Sequence, residues 1–551
     1  MFPYVPETFT DDEKDVLRRY VTNLDQPVFA LVNLPEVVKG ALFARYSRSP
    51  KSLRRLFLDE FVGDLDITGD ATVDATVGVK RAVELYERVF VEYGDDSVAQ
   101  LGGVHLACEQ ASNVLTKVLE WGRLMAYLEQ STRYIAYNQR LSGRYRYYRD
   151  PAVLDSPLGA RYVGEMDRMF DTYGELLEQL QAWLTVRHPR GTGDSDFVHR
   201  QAIRAKALDA LRGLLPAASL SNVGIYGTGQ SYEQLLVRMR AHPLPEARHY
   251  AAMMLTELRK VIPSFLQRVD RPDRGGAHSS YLVRTRTQTR DLVEELFPDL
   301  VAPSSARPEG PSGGPSVRLL DFDPEGEEKV LAAICAPLVT RPESELDARV
   351  AQLGAEDRRA LLRAYVGERA NRRHRPGRAF ERTDYRFEIV SDYGAFRDLQ
   401  RHRMLTIEWQ PLSTALGYDV PALVEEAGMT DRYVASLERS RALAEEMAEP
   451  FPVESAYAVA LAYRIRYTMQ MNAREAMHLL ELRSGPEGHP TYRWVAQEMH
   501  RLIGEVAGHR LLAEAMSHVD YGSRELERLD AERRAEGRRR SLSAAGKRES
   551  R

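Results

Sequence analysis

The chain has 551 residues, too many for one hydrophobic core, so we expect at least two domains. Its 76 Lys and Arg residues nearly balance its 80 Asp and Glu residues, and no run of about 18 apolar residues occurs, so the sequence favours neither a nucleic-acid partner nor a membrane. Cys108 and Cys335 stand far apart, which argues against disulfides and zinc–thiolate sites and fits a reducing cytoplasm. The acidic N-terminus lacks the apolar core of a signal peptide, and no histidine spacing is typical of a metal site, so we expect no metal.

Three segments recur in the same order on the two sides of the chain's middle. The matched pairs are 27–45 with 316–337, 116–135 with 396–415, and 227–239 with 471–483. In this register Arg123 aligns with Arg403, and Gln230 aligns with Arg474. Recurrence of this kind indicates that the chain holds two copies of one domain.

The first matched pair predicts a short apolar strand followed by an apolar helix in each copy. Residues 383–390 alternate between apolar and polar, which predicts a strand, whereas 249–262 and 472–482 have apolar residues at helical spacing. The predicted fold class is therefore α+β and helix-rich, with two homologous domains that each have one sheet packed by helices.

Composition places the domain boundaries. Residues 301–316 are rich in Pro, Gly and Ser, which predicts a flexible linker between domains at 1–300 and 317–522. Residues 523–551 are basic and poor in large apolar side chains, which predicts a disordered tail.

The segment RHR at 401–403 places two guanidinium groups beside an imidazole, a combination that suits a phosphate or a carboxylate. Alone it is a weak signal, because 373–375 reads RHR too, in a predicted loop. Other cationic and amide residues later in the sequence strengthen the RHR signal. Asn472 and Arg474 open a predicted helix, and Arg483 lies nine residues after Arg474.

These residues match the motifs of a known enzyme family. The patterns RHRxxSxxxxSxR and NARxxxxFxxxR are marks of the flavin-dependent thymidylate synthases, and the chain resembles that family over most of both halves, as a tandem fusion. The resemblance implies FAD, methylation of dUMP to dTMP with methylenetetrahydrofolate as carbon donor, and NADPH as reductant. It also implies a homotetramer, which for a fused chain corresponds to a homodimer, and a site shared between subunits.

The two halves depart from the family pattern in complementary ways. The first half reads WGR at 121–123 instead of RHR and has Met239 at the position of Arg483, but it keeps the SxR end of the motif and the Arg before LP. The second half keeps RHR and NAR but reads PLS at 411–413 instead of SxR, and Ala456 stands at the position of Arg212. Pairing the retained sets gives one nearly complete composite site per chain, and the opposite pairing gives none.

The resemblance assigns a role to each retained residue. The expected catalytic residues are Arg401 and Arg483; the expected substrate-binding residues are Ser131, Arg133, Arg212, Arg401 and Arg483; and the expected FAD-binding residues are Glu381, His402, Arg403, Asn472, Arg474 and His478. Two positions depart from the family, since Asp398 stands where Gln is usual and His478 where Asn is common. An alternative is therefore a catalytically inactive scaffold that binds flavin or nucleotide.

Overall fold

The computed structural model describes residues 4–34, 36–60, 100, 102–301, 314–522 and 526–549. Eight β-strands lie in these ranges: β1 Val28–Leu31, β2 Gly103–Ser112, β3 Met125–Glu129, β4 Leu220–Thr228, β5 Ser316–Phe322, β6 Asp384–Asp392, β7 Thr406–Trp409 and β8 Arg464–Asn472. They form two four-stranded antiparallel sheets, in the order β1-β2-β4-β3 and β5-β6-β8-β7. The same topology occurs twice, once in each half of the chain, which confirms the predicted α+β class with two sheets.

Helices make up most of the remaining described structure. Those of the first half are α1 Asp11–Leu17, α2 Glu36–Tyr46, α3 Leu53–Glu60, α4 Asn113–Leu119, α5 Pro151–Leu154, α6 Gly159–Arg187, α7 Asp196–Leu211, α8 Gly229–Arg240, α9 Pro245–Arg259, α10 Gly275–Leu296 and α11 Pro298–Val301. Those of the second half are α12 Gly326–Cys335, α13 Glu343–Ala351, α14 Ala355–Val366, α15 Tyr393–Leu399, α16 Ala422–Glu426, α17 Thr430–Met447, α18 Ala473–Arg483, α19 Pro490–Glu505, α20 Arg510–Ala515 and α21 Leu529–Glu549. Short 3-10 turns occur at Arg212–Leu214, Pro263–Leu266, Ala336–Leu338, Arg378–Arg382 and Glu454–Ala458.

The chain divides into two compact units that do not coincide with its sequence halves. Unit 1 consists of Met1–Gly174, Leu215–Arg307 and Glu438–Ala460, and unit 2 consists of Glu175–Leu214, Pro308–Leu437 and Leu461–Arg551. Unit 1 contains β1 to β4, and unit 2 contains β5 to β8. Each unit therefore takes one segment from the other half, and the segment given to unit 2 includes all of α7.

The strand and helix predictions for the second copy are confirmed in unit 2. On β6 the side chains of Tyr385, Phe387 and Ile389 are buried and alternate with more exposed residues. Each of the three is paired across the ladder with a buried residue of β8. Alternation with a period of two directs one face of a strand to the core. The paired strand β8 ends at Asn472, which is also the N-cap of α18.

The structure corrects the prediction of a disordered tail at 523–551. Most of this segment is α21, whose sequence is rich in Ala, Glu and Arg, all strong helix formers. Polar contacts within unit 2 anchor it and the residues just before it: Arg533 to Asp194 at 2.6 Å, Glu527 to Lys206 at 2.8 Å, and Glu536 to Ser195 at 2.6 Å. The partners in these contacts lie more than 300 positions earlier in the chain, so the local composition of the segment does not reveal them.

The linker prediction falls largely outside the described residues, because 302–313 are not among them. It stays a prediction. Among the described residues, no helix combines the length and the apolar composition needed to cross a bilayer.

Candidate functional site

The RHR segment follows α15, whose N-cap is Asp392; the Asp392 side chain accepts a hydrogen bond from the Ala395 amide at 2.8 Å. In the loop after the helix, Arg401 is partly buried, His402 is buried and Arg403 is exposed. The Asp392 cap satisfies an amide at the start of the helix. At its other end the C-cap residue Gln400 donates its backbone N–H to the Phe396 carbonyl at 2.8 Å, directly before the RHR segment.

Arg212 approaches this segment from the far end of α7, where it is the C-cap residue. Its Nη1 donates to Asp398 Oδ2 at 3.0 Å, and Arg401 donates to the other carboxylate oxygen of Asp398. Arg212 and Asp398 are both buried. A residue of the first sequence half therefore shares one carboxylate with the RHR segment, within unit 2.

The rest of the Arg212 guanidinium is packed closely against α15. Its Nε and Nη2 are buried and have no hydrogen-bond partner among the described residues, and Asp392 Oδ1 lies 3.9 Å from Nη2. A Cβ at Gly394 would lie 3.1 Å from Nε, so glycine leaves room for the guanidinium. Burial raises the pKa of Asp392, and the nearby Arg212 opposes that rise.

A chain of hydrogen bonds links the RHR segment to α18. Arg483 Nε donates to His402 Nε2 at 2.9 Å, so the neutral imidazole carries its proton on Nδ1 and donates it to Glu475 Oε1 at 3.0 Å. His478 Nδ1 lies 3.2 Å from Glu475 Oε2. Burial lowers the pKa of His402 to about 4. Burial disfavours ionised Glu475, but the hydrogen bonds with His402 and His478 prevail and lower its pKa to about 2.

The same three side chains are the one group within the described ranges whose ligand atoms are close enough for a metal ion, since the atoms of His402, Glu475 and His478 lie within 4.8 Å of one another. Coordination would require His402 Nδ1 to lose its proton, and Nε2 would then carry the proton against the Arg483 donor. The positive charge of Arg483 also opposes a cation at this place. The hydrogen-bond chain accounts for the cluster without a metal.

The neutral state of His402 gives a pH dependence of stability. In the unfolded chain His402 binds a proton near its usual pKa of 6.5, whereas in the folded chain it does so only at about 4. The contribution of neutral His402 to the free energy of unfolding is therefore fully present above about pH 6.5 and is lost as the pH falls from 6.5 to about 4. Between pH 7.5 and 5.0 we expect a loss of about 2 kcal/mol in the free energy of unfolding from this group.

Urea titration of the wild type and of His402→Gln at both pH values measures this loss. The variant should lose about 2 kcal/mol less than the wild type over the interval. His374→Gln, at an exposed position of unit 2, is the matched control and should behave as the wild type. An equal loss in wild type and His402→Gln would contradict the neutral assignment. Glu475 does not enter this window, because its lowered pKa costs stability only as the pH falls from about 4.5, the usual value, to about 2.

The start of α18 carries a second polar cluster. Asn472 is its N-cap, and the Asn472 side-chain oxygen accepts from the Glu475 amide at 2.9 Å. Arg474 donates to the Pro376 carbonyl at 3.1 Å and lies 3.4 Å from Glu381 Oε1. Arg378 reaches the other oxygen of Glu381 at 2.9 Å. The first turn of α18 thus combines a partly exposed guanidinium with an N-terminal helix end, a combination that suits a phosphate group.

The far end of α18 is fixed by a residue that sequence reasoning missed. Arg369 forms a bidentate ion pair with Glu481 at 2.6 Å, and both side chains are almost completely buried. Arg369 also donates to the Ala515 carbonyl at 2.9 Å. This pair lies two residues before Arg483, so it positions the helix end that carries Arg483. No motif spacing would have identified it, since the partners are 112 positions apart.

Removing one partner of this pair leaves a buried charge without a counter-ion. We expect Arg369→Ala to lower the free energy of unfolding by about 3–5 kcal/mol. The double variant Arg369→Met with Glu481→Gln should recover most of that loss, because no uncompensated charge remains. Arg359→Ala breaks more exposed pairs with Glu356 and Glu514 and should cost at most about 1 kcal/mol. If Arg369→Ala were as stable as Arg359→Ala, this account of the buried ion pair would be contradicted.

The equivalent place in unit 1 lacks the charged groups. Gln100 Nε2 donates to Gln230 Oε1 at 2.9 Å, so a neutral amide pair stands where Glu381 and Arg474 stand in unit 2. Met239 is buried where the second half has Arg483.

The imidazole position is closed in unit 1. A Cβ at Gly122, which aligns with His402, would lie 2.5 Å from the Tyr127 hydroxyl oxygen, and that hydroxyl donates to the Gly122 carbonyl at 3.1 Å. A histidine cannot replace Gly122 unless Tyr127 moves. The losses seen in the sequence therefore correspond to a repacked site rather than to an open pocket.

Ser131 and Arg133 belong to unit 1. The Ser131 side-chain oxygen accepts from the Arg133 amide at 3.3 Å, and the Ser131 amide donates to the Ser47 carbonyl at 3.2 Å. Their place in a substrate site stays a prediction.

The residues around α18 fit a flavin cofactor by their chemistry. Arg403 is exposed beside buried His402, and Arg474 is partly exposed beside Glu475, which His402 contacts. Two guanidinium groups next to a capped helix N-terminus are suited to the diphosphate of FAD. Asn472 and His478 supply further hydrogen-bonding groups in the same place, whereas both ring nitrogens of His402 are engaged by Arg483 and Glu475.

Comparison with known proteins identifies the family of the chain. The family model described as thymidylate synthase complementing protein matches residues 44–264 and again 318–508. A UPF0159 protein of Chlamydia pneumoniae is 40% identical over 535 residues, which cover 96% of this chain and 98% of the relative. A UPF0159 protein of Thermoplasma acidophilum is 31% identical over 523 residues, which cover 90% and 97%. The chain therefore belongs to the flavin-dependent thymidylate synthase family of thymidylate synthase complementing proteins, and matches it once in each half.

Proposed function

We propose that this chain methylates dUMP to dTMP with bound FAD, using methylenetetrahydrofolate as carbon donor and NADPH as reductant, at one site per chain. One observation carries the proposal. Arg212, from the first sequence half, and Arg401, from the second, hold the same Asp398 carboxylate. The family resemblance assigns these two cations to one substrate, and in this chain they lie together in unit 2.

In the proposed site the chain's own residues bind and polarise the substrate. Arg212 and Arg401 would bind the phosphate, with Ser131 and Arg133 as further phosphate ligands predicted from the sequence. Arg483 would stabilise negative charge that develops on the uracil ring, since a cation positioned in advance lowers the barrier there. Neutral His402 would hold Arg483 in place through the 2.9 Å contact.

The remaining residues would hold the cofactor. Arg403, Asn472 and Arg474 would bind the diphosphate region, while Glu381 orients Arg474 and His478 lies beside His402. When bound, FAD supplies the two-electron reduction that turns a transferred methylene group into a methyl group.

A second candidate function is a flavin- or nucleotide-binding scaffold without catalysis. It is favoured by Asp398, whose carboxylate occupies both cations that would bind the substrate phosphate. A phosphate could bind there only after displacing the carboxylate, and charge repulsion would oppose a dianion beside it.

Two measurements separate these functions. The purified protein should show flavin absorbance, and its absence would overturn both the enzyme and the flavin scaffold. The chain should then support growth of a thymidine auxotroph without thymidine. Gln230→Ala should support growth equally, whereas Arg483→Ala should not. A flavin-containing protein that fails to support growth would favour the scaffold.

A further inference from the structure

Helix α10 leaves unit 1 with half of its length uncovered. Its first turns pack on α8, where Ser279 Oγ donates to the Val237 carbonyl at 3.1 Å and Arg286 donates to the Ala241 carbonyl. From Thr287 to Leu300 every residue is exposed. The helix lies between the two regions that match the family model, 44–264 and 318–508, so the shared fold does not account for it.

The uncovered part carries an apolar stripe. The apolar stripe consists of five large side chains that are 40–76% exposed: Leu292, Val293, Leu296, Phe297 and Leu300. Leu292, Val293 and Leu296 lie on one face of α10, and Phe297 and Leu300 follow the end of the helix at Leu296. Contiguous exposed apolar residues mark an interaction surface.

The spacing of this face is that of a helix pair. Leu282, Thr285, Thr289, Leu292 and Leu296 follow one another at intervals of three and four residues. Alternating intervals of three and four residues are the pattern of the contact seam in two packed helices. The face therefore fits another helix.

The charges beside the seam are segregated along the axis. Arg284, Arg286 and Arg290 precede Asp291, Glu294 and Glu295 along α10, and Asp299 follows the helix. Of the three arginines, Arg290 lies in the uncovered part, and Arg286 donates to the Ala241 carbonyl. A second copy of α10 laid antiparallel brings the basic part of each helix beside the acidic part of the other. A parallel pair would set like charges together, which is destabilising.

We propose that α10 is a self-association surface, on which a second copy of this chain docks its own α10 antiparallel. The arrangement is isologous, so one two-fold axis closes it and no further copies are added. In the register that matches the charges, Thr289 of one copy meets Leu292 of the other, and Thr285 meets Leu296. The surface is independent of the proposed chemistry, which concerns other residues.

Sedimentation of the full chain over a concentration series tests the proposal. The assembly formed by the wild type should have twice the mass of that formed by Leu292→Glu with Leu296→Glu. Leu338→Glu changes another exposed leucine in unit 2 and should leave the mass unchanged. Equal masses for wild type and double variant would overturn the proposal. Equal masses with a lowered thermal midpoint would show instead that a segment of the same chain covers the stripe.

Charge reversal tests the antiparallel direction. Arg284→Glu with Arg290→Glu makes both parts acidic, and Asp291→Lys with Glu294→Lys and Glu295→Lys makes both parts basic. Each variant alone should associate more weakly than the wild type, and an equal mixture of the two should recover association. Parallel pairing predicts no loss in either variant alone, because like charges face each other before and after the change, so that outcome would contradict the antiparallel arrangement.

Discussion

Replacing Arg474 with alanine is expected to remove most of the bound flavin, whereas replacing Gln230 is expected to remove little. Arg474 is a partly exposed cation at the start of α18, and a hydrogen bond from it to a phosphate would be charge-assisted. A lost hydrogen bond to a charged group costs about 1.5–3 kcal/mol, which is roughly a ten- to hundredfold loss of affinity. Gln230 is the matched control, because it stands at the equivalent position and already bonds a neutral partner, Gln100.

The flavin-to-protein ratio after gel filtration measures the effect. Retention should fall in Arg474→Ala and stay near the wild-type ratio in Gln230→Ala. If the two variants kept the same amount of flavin, the assignment of the cofactor to α18 would be wrong. Thermal midpoints of both variants separate loss of flavin from loss of fold.

Replacing Asp398 with glutamine is expected to tighten dUMP binding. The Asp398 carboxylate is held by Arg212 and Arg401, so in the wild type a phosphate competes with it for both cations. Glutamine, which is usual at this position in the family, removes the negative charge, is one methylene longer than aspartate and can still accept a hydrogen bond. Recovery of charge-assisted bonds to the phosphate should raise the affinity roughly tenfold or more.

Titration of the flavin-loaded protein with dUMP measures this change. Asp384→Asn is the matched control, because it removes one negative charge at an exposed position of the same unit. Arg212→Ala placed in the Asp398→Gln background should abolish the gain. An affinity that is the same in wild type and Asp398→Gln would show that the phosphate does not bind at these two arginines.

The sequence predicted the elements of the fold because their signals are local. Alternation on β6 and helical spacing on α18 each depend on neighbouring residues, and both elements formed as predicted. The duplicated sheet could also be predicted, since its strands recur in the same order. The segments that make up unit 2 could not be predicted, because the packing of Glu175–Leu214 with the second half depends on contacts between distant segments.

The candidate site was predictable as a set of residues but not as a set of contacts. The motifs named Arg401, His402 and Arg483, yet the tautomer of His402 follows from two contacts that join residues more than 70 positions apart. Glu475 was not among the predicted site residues, although its two carboxylate oxygens contact the imidazoles of His402 and His478. Its place in the first turn of α18, directly after NAR, was the available signal.

Asp398 shows the limit of motif comparison. The substitution of Asp for the usual Gln was visible in the sequence, and a carboxylate repels a phosphate unless a cation pairs with it. The pairing with Arg401 is present, and Arg212 joins it. That second contact depends on the position of α7 in unit 2, which no local pattern encodes.

The central claim is that each chain has one working site and one repacked counterpart. Calorimetric titration of the flavin-loaded protein with dUMP tests it most directly, because stoichiometry does not depend on which contacts dominate the affinity. Unit 2 has the charged groups, whereas unit 1 has Met239 and a Gly122 position closed by Tyr127. The account predicts one dUMP bound per chain. Two equivalent dUMP molecules per chain would contradict it.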